Sequence, residues 1–291
     1  MDNLHQLLAR AEKLLQRLEA LVPAPAAAPD WTSAIAFRWH RHGDRREFQS
    51  VKQVHRIMLS DLRGIDAQKQ IAEANTRQFV EGYSANNVLL TGARGTGKSS
   101  LVKALLNEYA TSGLRLIEIQ KHDLVDLPEI VAQLVGRPER FILFCDDLSF
   151  EADEIQFKAI KVVLDGTVAA APENCLIYAT SNRRHLMPES MADNLEAQRV
   201  KDEIHPNERV EERISLSERF GIWVSFYPFD QDQYLEIVAQ WLDHFNIDSM
   251  LRAGYREAAL RWALQRGSRS GRVAWQFARD WAGRNRVVPQ L

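Results

Sequence analysis

The chain has 291 residues, 45% of them hydrophobic and 26% charged, with a formal net charge of -2 at pH 7. This is enough for one large or two modest globular domains, and the near-neutral balance excludes a task resting on global electrostatics, toward nucleic acid or an anionic membrane alike. Two cysteines, no apolar run approaching ~18 residues and no basic leader speak against a disulfide framework, a membrane span and a secretory signal, so a cytoplasmic protein is expected.

Residues 1–22 set Leu4, Leu8, Ala11, Leu15, Leu18 and Val22 at alternating spacings of four and three, which predicts an amphipathic helix. It either packs on its own body or serves self-association or partner docking. The proline-rich stretch over 23–29 reads as a semi-rigid linker. Residues 31–50 interleave Trp31, Phe37, Trp39 and Phe48 with Arg38, His40, Arg41, His42, Arg45 and Arg46. Such a mixture could offer stacking platforms to nucleic acid. Asp44 and Glu47 dilute the charge, however, and the favoured reading makes residues 23–53 a linker and an extension anchored to the main domain by its aromatics.

From residue 54 the pattern turns α/β, with a helix over 68–81 and then the buried-strand run Val88-Leu89-Leu90. Gly92, Ala93, Arg94, Gly95, Thr96, Gly97, Lys98 and Ser99 follow, fitting the phosphate-binding pattern G-x-x-x-x-G-K-[ST] at every fixed position. Leu101, Val102, Leu105, Leu106 and Tyr109 then recur at helical spacing until Gly113, a left-handed cap. Strand, glycine loop and helix are the context the motif requires. Glycines let the loop aim successive N–H groups inward, and the helix N-terminus adds positive potential. Lys98 would reach the β- and γ-phosphates of a nucleoside triphosphate, Ser99 would be one ligand of a Mg²⁺ ion that keeps several waters, and the nucleotide-binding stretch extends to Ser100.

A strand over 114–119, a proline-opened helix over 128–135 and the apolar run 141–145 come next. The run contains Cys145 and ends abruptly in Asp146-Asp147. Carboxylates at the carboxyl end of a central strand stand in the crevice where open α/β sheets bind ligands. Asp146 would hold Mg²⁺ through its waters, and Asp147 would orient or deprotonate the attacking water. A helix over 153–164 and a strand over 175–180, opened by Cys175, lead to Ser181 and Asn182.

Together these features resemble the AAA+ ATPases, in which a polar sensor residue sits at the position of Asn182; its amide can hold water and γ-phosphate without competing for the metal. The resemblance covers residues 54–291. It is nearest to an uncharacterised bacterial AAA+ family filed as a domain of unknown function, with similar Ala-Thr-Ser-Asn-Arg-Arg-His, Leu-Ser-x-Arg-Phe-Gly and Tyr-Pro-Phe segments. It implies an α/β P-loop domain over 54–227, a parallel sheet flanked by helices, and a small helical lid over 228–291. It also implies ATP and Mg²⁺ as ligands and a homo-oligomeric ring in which Arg219 acts in the neighbouring subunit's site. Arg272 corresponds to the lid arginine that reaches the γ-phosphate, with Arg269 as the alternative. Asp147 departs from the usual glutamate, a shorter carboxylate that replication initiators and helicase loaders resemble, so turnover is expected to be slow or to draw on Glu151. The polar stretch 187–212, with His205, reads as a solvated helix or loop. The resulting expectation is an ATPase that hydrolyses ATP to act mechanically or conformationally on a protein client. The alternatives are a helicase-loader-like DNA-associated ATPase and a nucleotide-gated scaffold with little turnover.

Overall fold

The computed structural model describes residues 29–42, 45–148, 155–165, 172–182 and 218–285, with His5 and Arg10 besides. The helix expected over 1–22, nearly all of the linker, Glu151 and the polar stretch with His205 lie outside the described residues.

Seven strands, β1 (Ala36–His42), β2 (Arg45–Ser50), β3 (Val88–Gly92), β4 (Leu114–Ile119), β5 (Arg140–Cys145), β6 (Cys175–Ser181) and β7 (Ile222–Phe226), form one sheet in the order β2-β1-β4-β5-β6-β3-β7. Only β1 and β2 run antiparallel; every other pairing is parallel. The described α-helices are α1 (Asp66–Val80), α2 (Lys98–Tyr109), α3 (Leu127–Leu134), α4 (Ile155–Asp165), α5 (Gln231–His244), α6 (Tyr255–Gln265) and α7 (Gly271–Arg284).

The central strands β3, β5 and β6 are largely apolar because both their faces are covered. In β5, Ile142 and Phe144 enter one core while Phe141, Leu143 and Cys145 enter the other; in β3, Val88 and Leu90 part from Leu89 in the same way. This is the period-two alternation of a strand sandwiched between layers. The first core holds α1, α2 and the C-terminal helices, and the second holds α3, Ile160 of α4 and the aromatics of the first hairpin. Both cysteines are free, and burial pushes each thiol up to about 12. The C-terminal region is all helix, as its sequence pattern predicts. Asp230 caps α5, accepting the Gln233 N–H at 2.8 Å while its own N–H donates to Gln233 Oε1 at 3.1 Å. Tyr234, Ile237, Val238 and Leu242 of α5 share a core with Ala259, Val273 and Phe277. Among the described residues no helix is long and apolar enough to cross a membrane.

The sheet begins earlier than residue 54, since the extension expected over 23–53 supplies two of its strands. β1 and β2 form a hairpin that adds to the β4 edge, with Phe37 beside Ile117 and Arg38 beside Glu118. Crowded arginines and histidines hide the strand alternation here. Trp31, Phe37 and Trp39 are buried, and the Trp31 ring lies 4.4, 5.1 and 4.9 Å from those of Phe37, Phe48 and Phe141. These aromatics are core, so they cannot serve as stacking platforms. Two of the bases meet acids: Arg38 pairs with Glu118 at 2.7 Å, and Arg46 pairs with Glu129 and lies 3.7 Å from Asp126.

Trp39 is fully buried, and its indole N–H donates to Asp126 Oδ2 at 3.1 Å. Trp39→Ala should therefore cost about 3–5 kcal/mol of stability through the cavity and the carboxylate left short of a partner. Chemical denaturation measures this, and a loss below about 1 kcal/mol would contradict the hairpin's place in the core.

Candidate active site

The strand order sets the site. Because β5, β6 and β3 are parallel neighbours, their carboxyl ends lie side by side, bringing Asp146 and Asp147, Asn182 and the glycine loop to one edge. Within the loop, Gly92 (φ 131°) passes so close to β7 that a Cβ there would lie 2.0 Å from the Phe226 carbonyl oxygen. Gly95 (φ 77°) faces the C-terminal helices, where a Cβ would meet Ser270 Oγ at 2.8 Å. Only glycine fits either position. Thr96 Oγ1 donates to the Ala93 carbonyl at 2.8 Å and stiffens the turn, and α2 starts at Lys98 with its N-terminus toward the cleft.

Lys98 is only 5% exposed. Its ammonium donates to the carbonyls of Gly92 (2.6 Å) and Ala93 (2.8 Å) and to Asn182 Oδ1 (3.1 Å). Burial pulls its pKa below the ordinary lysine value, against the pull of Asp146 and Asp147, and the guanidiniums of Arg94 and Arg272 push the same way as burial. A buried cation in that balance favours an added anion. Ser99 Oγ donates to Asp146 Oδ1 at 2.6 Å, and Thr180 Oγ1 donates to the same oxygen at 2.6 Å. The serine hydroxyl and the carboxylate thus converge as the hard oxygen donors that suit Mg²⁺, so the donor set fits that ion. Asn182 Nδ2 donates to Asp147 Oδ1, and Arg94 lies 3.8 Å from Asp147 Oδ2.

A cleft of about 750 Å³ opens over the loop, lined by Arg94 through Ser100, Asp146, Asp147, Asn182 and Arg272. Arg272 is the second residue of α7, whose first N–H, from Gly271, donates to the Gly95 carbonyl at 2.9 Å. Arg269 is not among the lining residues. Arg219 is not either; it precedes β7 and pairs with Asp165 at the end of α4.

Two groups of residues escape a sequence reading. One is the irregular segment ahead of α1, where His55, Ile57, Leu62 and Ile65 line the cleft together with Trp241 and Trp275. Asn107 of α2 pins that wall, donating to the carbonyls of His55 (3.0 Å) and Ile57 (2.8 Å). No local pattern marks it, since its order comes from distant partners. The other is Thr180, which reads as an ordinary strand residue; the available signal is its place two residues before Asn182, hence on the same strand face.

Comparison with known proteins bears on the family and the fold. No curated protein matches the chain in sequence. Among solved structures, the RuvB Holliday junction branch migration motor of Thermotoga maritima superposes with a TM-score of 0.50 at 16% identity, over 79% of this chain and 66% of that one. The Aeropyrum pernix ORC1 protein, solved in complex with DNA, gives 0.51 at 13% identity over 77% and 61%. The chain therefore spans just under two thirds of the length of each, and at these identities the likeness concerns the fold, the AAA+ form of the P-loop sheet. Residues 32–285 match the family described as "Protein of unknown function (DUF815)", so the chain is a member of that family, built on an AAA+ fold.

Proposed function

We propose that this protein binds ATP with Mg²⁺ and hydrolyses it, using the cycle to drive a conformational or remodelling action on a macromolecular partner. The observation that carries this reading is the convergence of Lys98, Ser99, Asp146, Asp147 and Asn182 in one hydrogen-bonded network above a glycine cradle. Loop N–H groups and Lys98 would hold the phosphates, with Ser99 and Asp146 holding the metal, whose charge would offset that of the phosphates when bound. Asp147 and Asn182 would orient the water, and Arg272 would meet the terminal phosphate from the helical side. The apolar wall of Ile57, Leu62 and Ile65 suits a nucleobase.

The oligomeric part of the proposal rests on Arg219. Tied to Asp165 and lying outside its own cleft, it has a use in phosphoryl transfer only if presented to a second subunit, which favours a homo-oligomeric ring. Two thiols without a disulfide suit the reducing cytoplasm, where we place the protein. A DNA-associated role draws support from what RuvB and ORC1 are, but the buried aromatics and acid-paired arginines of the hairpin weigh against that segment as its DNA surface.

Lys98→Ala should abolish ATP binding, whereas Arg219→Ala should spare binding and lower turnover by roughly 10³–10⁵, the range for arginine fingers elsewhere. Mixing the two variants should restore part of the activity, since an interface can then pair an intact loop with an intact finger. Full turnover by Arg219→Ala alone would contradict the ring, and no rescue on mixing, with turnover independent of protein concentration, would contradict it and promote a nucleotide-gated scaffold.

A further inference from the structure

We infer that Thr180 is the positioning residue that aims both carboxylates of the site, and that its hydroxyl sets the affinity for the divalent cation. The inference deepens the ATPase proposal and rests on it.

Strand register supplies the geometry. Phe144 lies beside Tyr178 and Cys145 beside Ala179, so continuing the pairing one step brings Asp146 opposite Thr180. Thr180 is 2% exposed, and both its hydroxyl and its carbonyl are engaged. Its Oγ1 accepts the Asp147 N–H at 2.9 Å and donates to Asp146 Oδ1 at 2.6 Å, while its carbonyl accepts the Leu148 N–H at 2.7 Å. Because a backbone N–H already occupies one lone pair, the single hydroxyl proton is directed at the carboxylate. β-Branching restricts χ1, so the strand backbone fixes where that proton points.

These contacts also explain an unusual backbone. Asp147 has φ 54°, the left-handed region that aspartate visits more readily than most residues but at a cost, and such conformations persist where the surroundings over-determine them. Here the Asp147 and Leu148 N–H groups are both held by Thr180, one by its hydroxyl and one by its carbonyl. The turn carries the Asp147 carboxylate away from the strand line to Asn182 Nδ2 and to within 3.8 Å of Arg94. One threonine therefore fixes the direction of Asp146 and the turn that presents Asp147.

A consequence separates Thr180 from Ser99. Ser99 would give a lone pair to a cation beside Asp146, whereas Thr180, whose oxygen is held by the Asp147 N–H, acts on the site only through the proton it donates to Asp146 Oδ1. Nucleotide binding through Lys98 and the loop does not pass through this contact; cation binding does.

The test uses the full chain as wild type, Thr180→Val and Thr180→Ser, titrated with a fluorescent ATP analogue in EDTA and then across a Mg²⁺ series, with turnover measured in parallel. Thr180→Val keeps the branched shape and removes the hydroxyl. It should bind the analogue in EDTA like wild type, while its Mg²⁺ half-saturation rises about 10- to 100-fold, the usual range for lost outer partners of a metal ligand. Thr180→Ser should recover most of the loss. Wild-type Mg²⁺ dependence in Thr180→Val would overturn the inference, as would a serine variant as defective as valine. Lost binding in EDTA by Thr180→Val would overturn it too, by showing that the residue serves the fold. A wild type without saturable nucleotide binding would instead overturn the ATPase proposal, so the two failures are distinguishable.

Discussion

Lys98 carries a positive charge to a position where only 5% of the residue reaches solvent, and much of the surrounding structure answers that constraint. Burying an ammonium costs several kcal/mol unless its donors are satisfied and counter-charge lies near. Two of its acceptors are carbonyls of the glycine loop, which explains why the loop curls back on itself; the third is Asn182, at the end of the neighbouring strand β6. Through Asn182 the charge is linked to Asp147, and through the sheet edge to Asp146. On the proposed reading, phosphate binding, metal binding and water orientation would be three uses of one buried electrostatic balance.

That balance needs a rigid frame, which the two cores supply. Strands β3, β5 and β6 are held on both faces, so their carboxyl ends cannot shift independently. The helical region closes the cleft from the other side, touching the loop directly where the Gly271 N–H meets the Gly95 carbonyl. A change in the loop is therefore felt at the start of α7, where Arg272 sits. The hairpin at the far edge of the sheet completes the second core with Trp31, Phe37 and Trp39, which is why a segment that reads as charged surface turns out to be structural.

Much of this is legible in the sequence because the relevant signals are local. The glycine pattern from Gly92 to Ser99 demands a particular backbone, and the buried runs of β3, β5 and β6 announce a parallel sheet. The abrupt change from Cys145 to Asp146 marks a strand end without any knowledge of its neighbours. What stays hidden depends on contacts across the chain. Thr180 acquires its role only when register brings it to Asp146, the wall from His55 to Ile65 is ordered by Asn107, and the pairing of Arg219 with Asp165 joins residues far apart in sequence. Hairpin β1–β2 was obscured for another reason: its bases dominate the composition while its burial is carried by alternate aromatics.

Equilibrium dialysis of the full chain against ATP, with and without Mg²⁺, bears most directly on the central claim that a buried lysine and a paired serine and aspartate form a nucleotide–metal site. Trp241 and Trp275 in the cleft wall offer a parallel fluorescence signal. The proposed function predicts saturable binding of one ATP per chain that tightens when Mg²⁺ is present, together with a change in tryptophan emission. Binding that does not saturate, or that is indifferent to Mg²⁺, would contradict it.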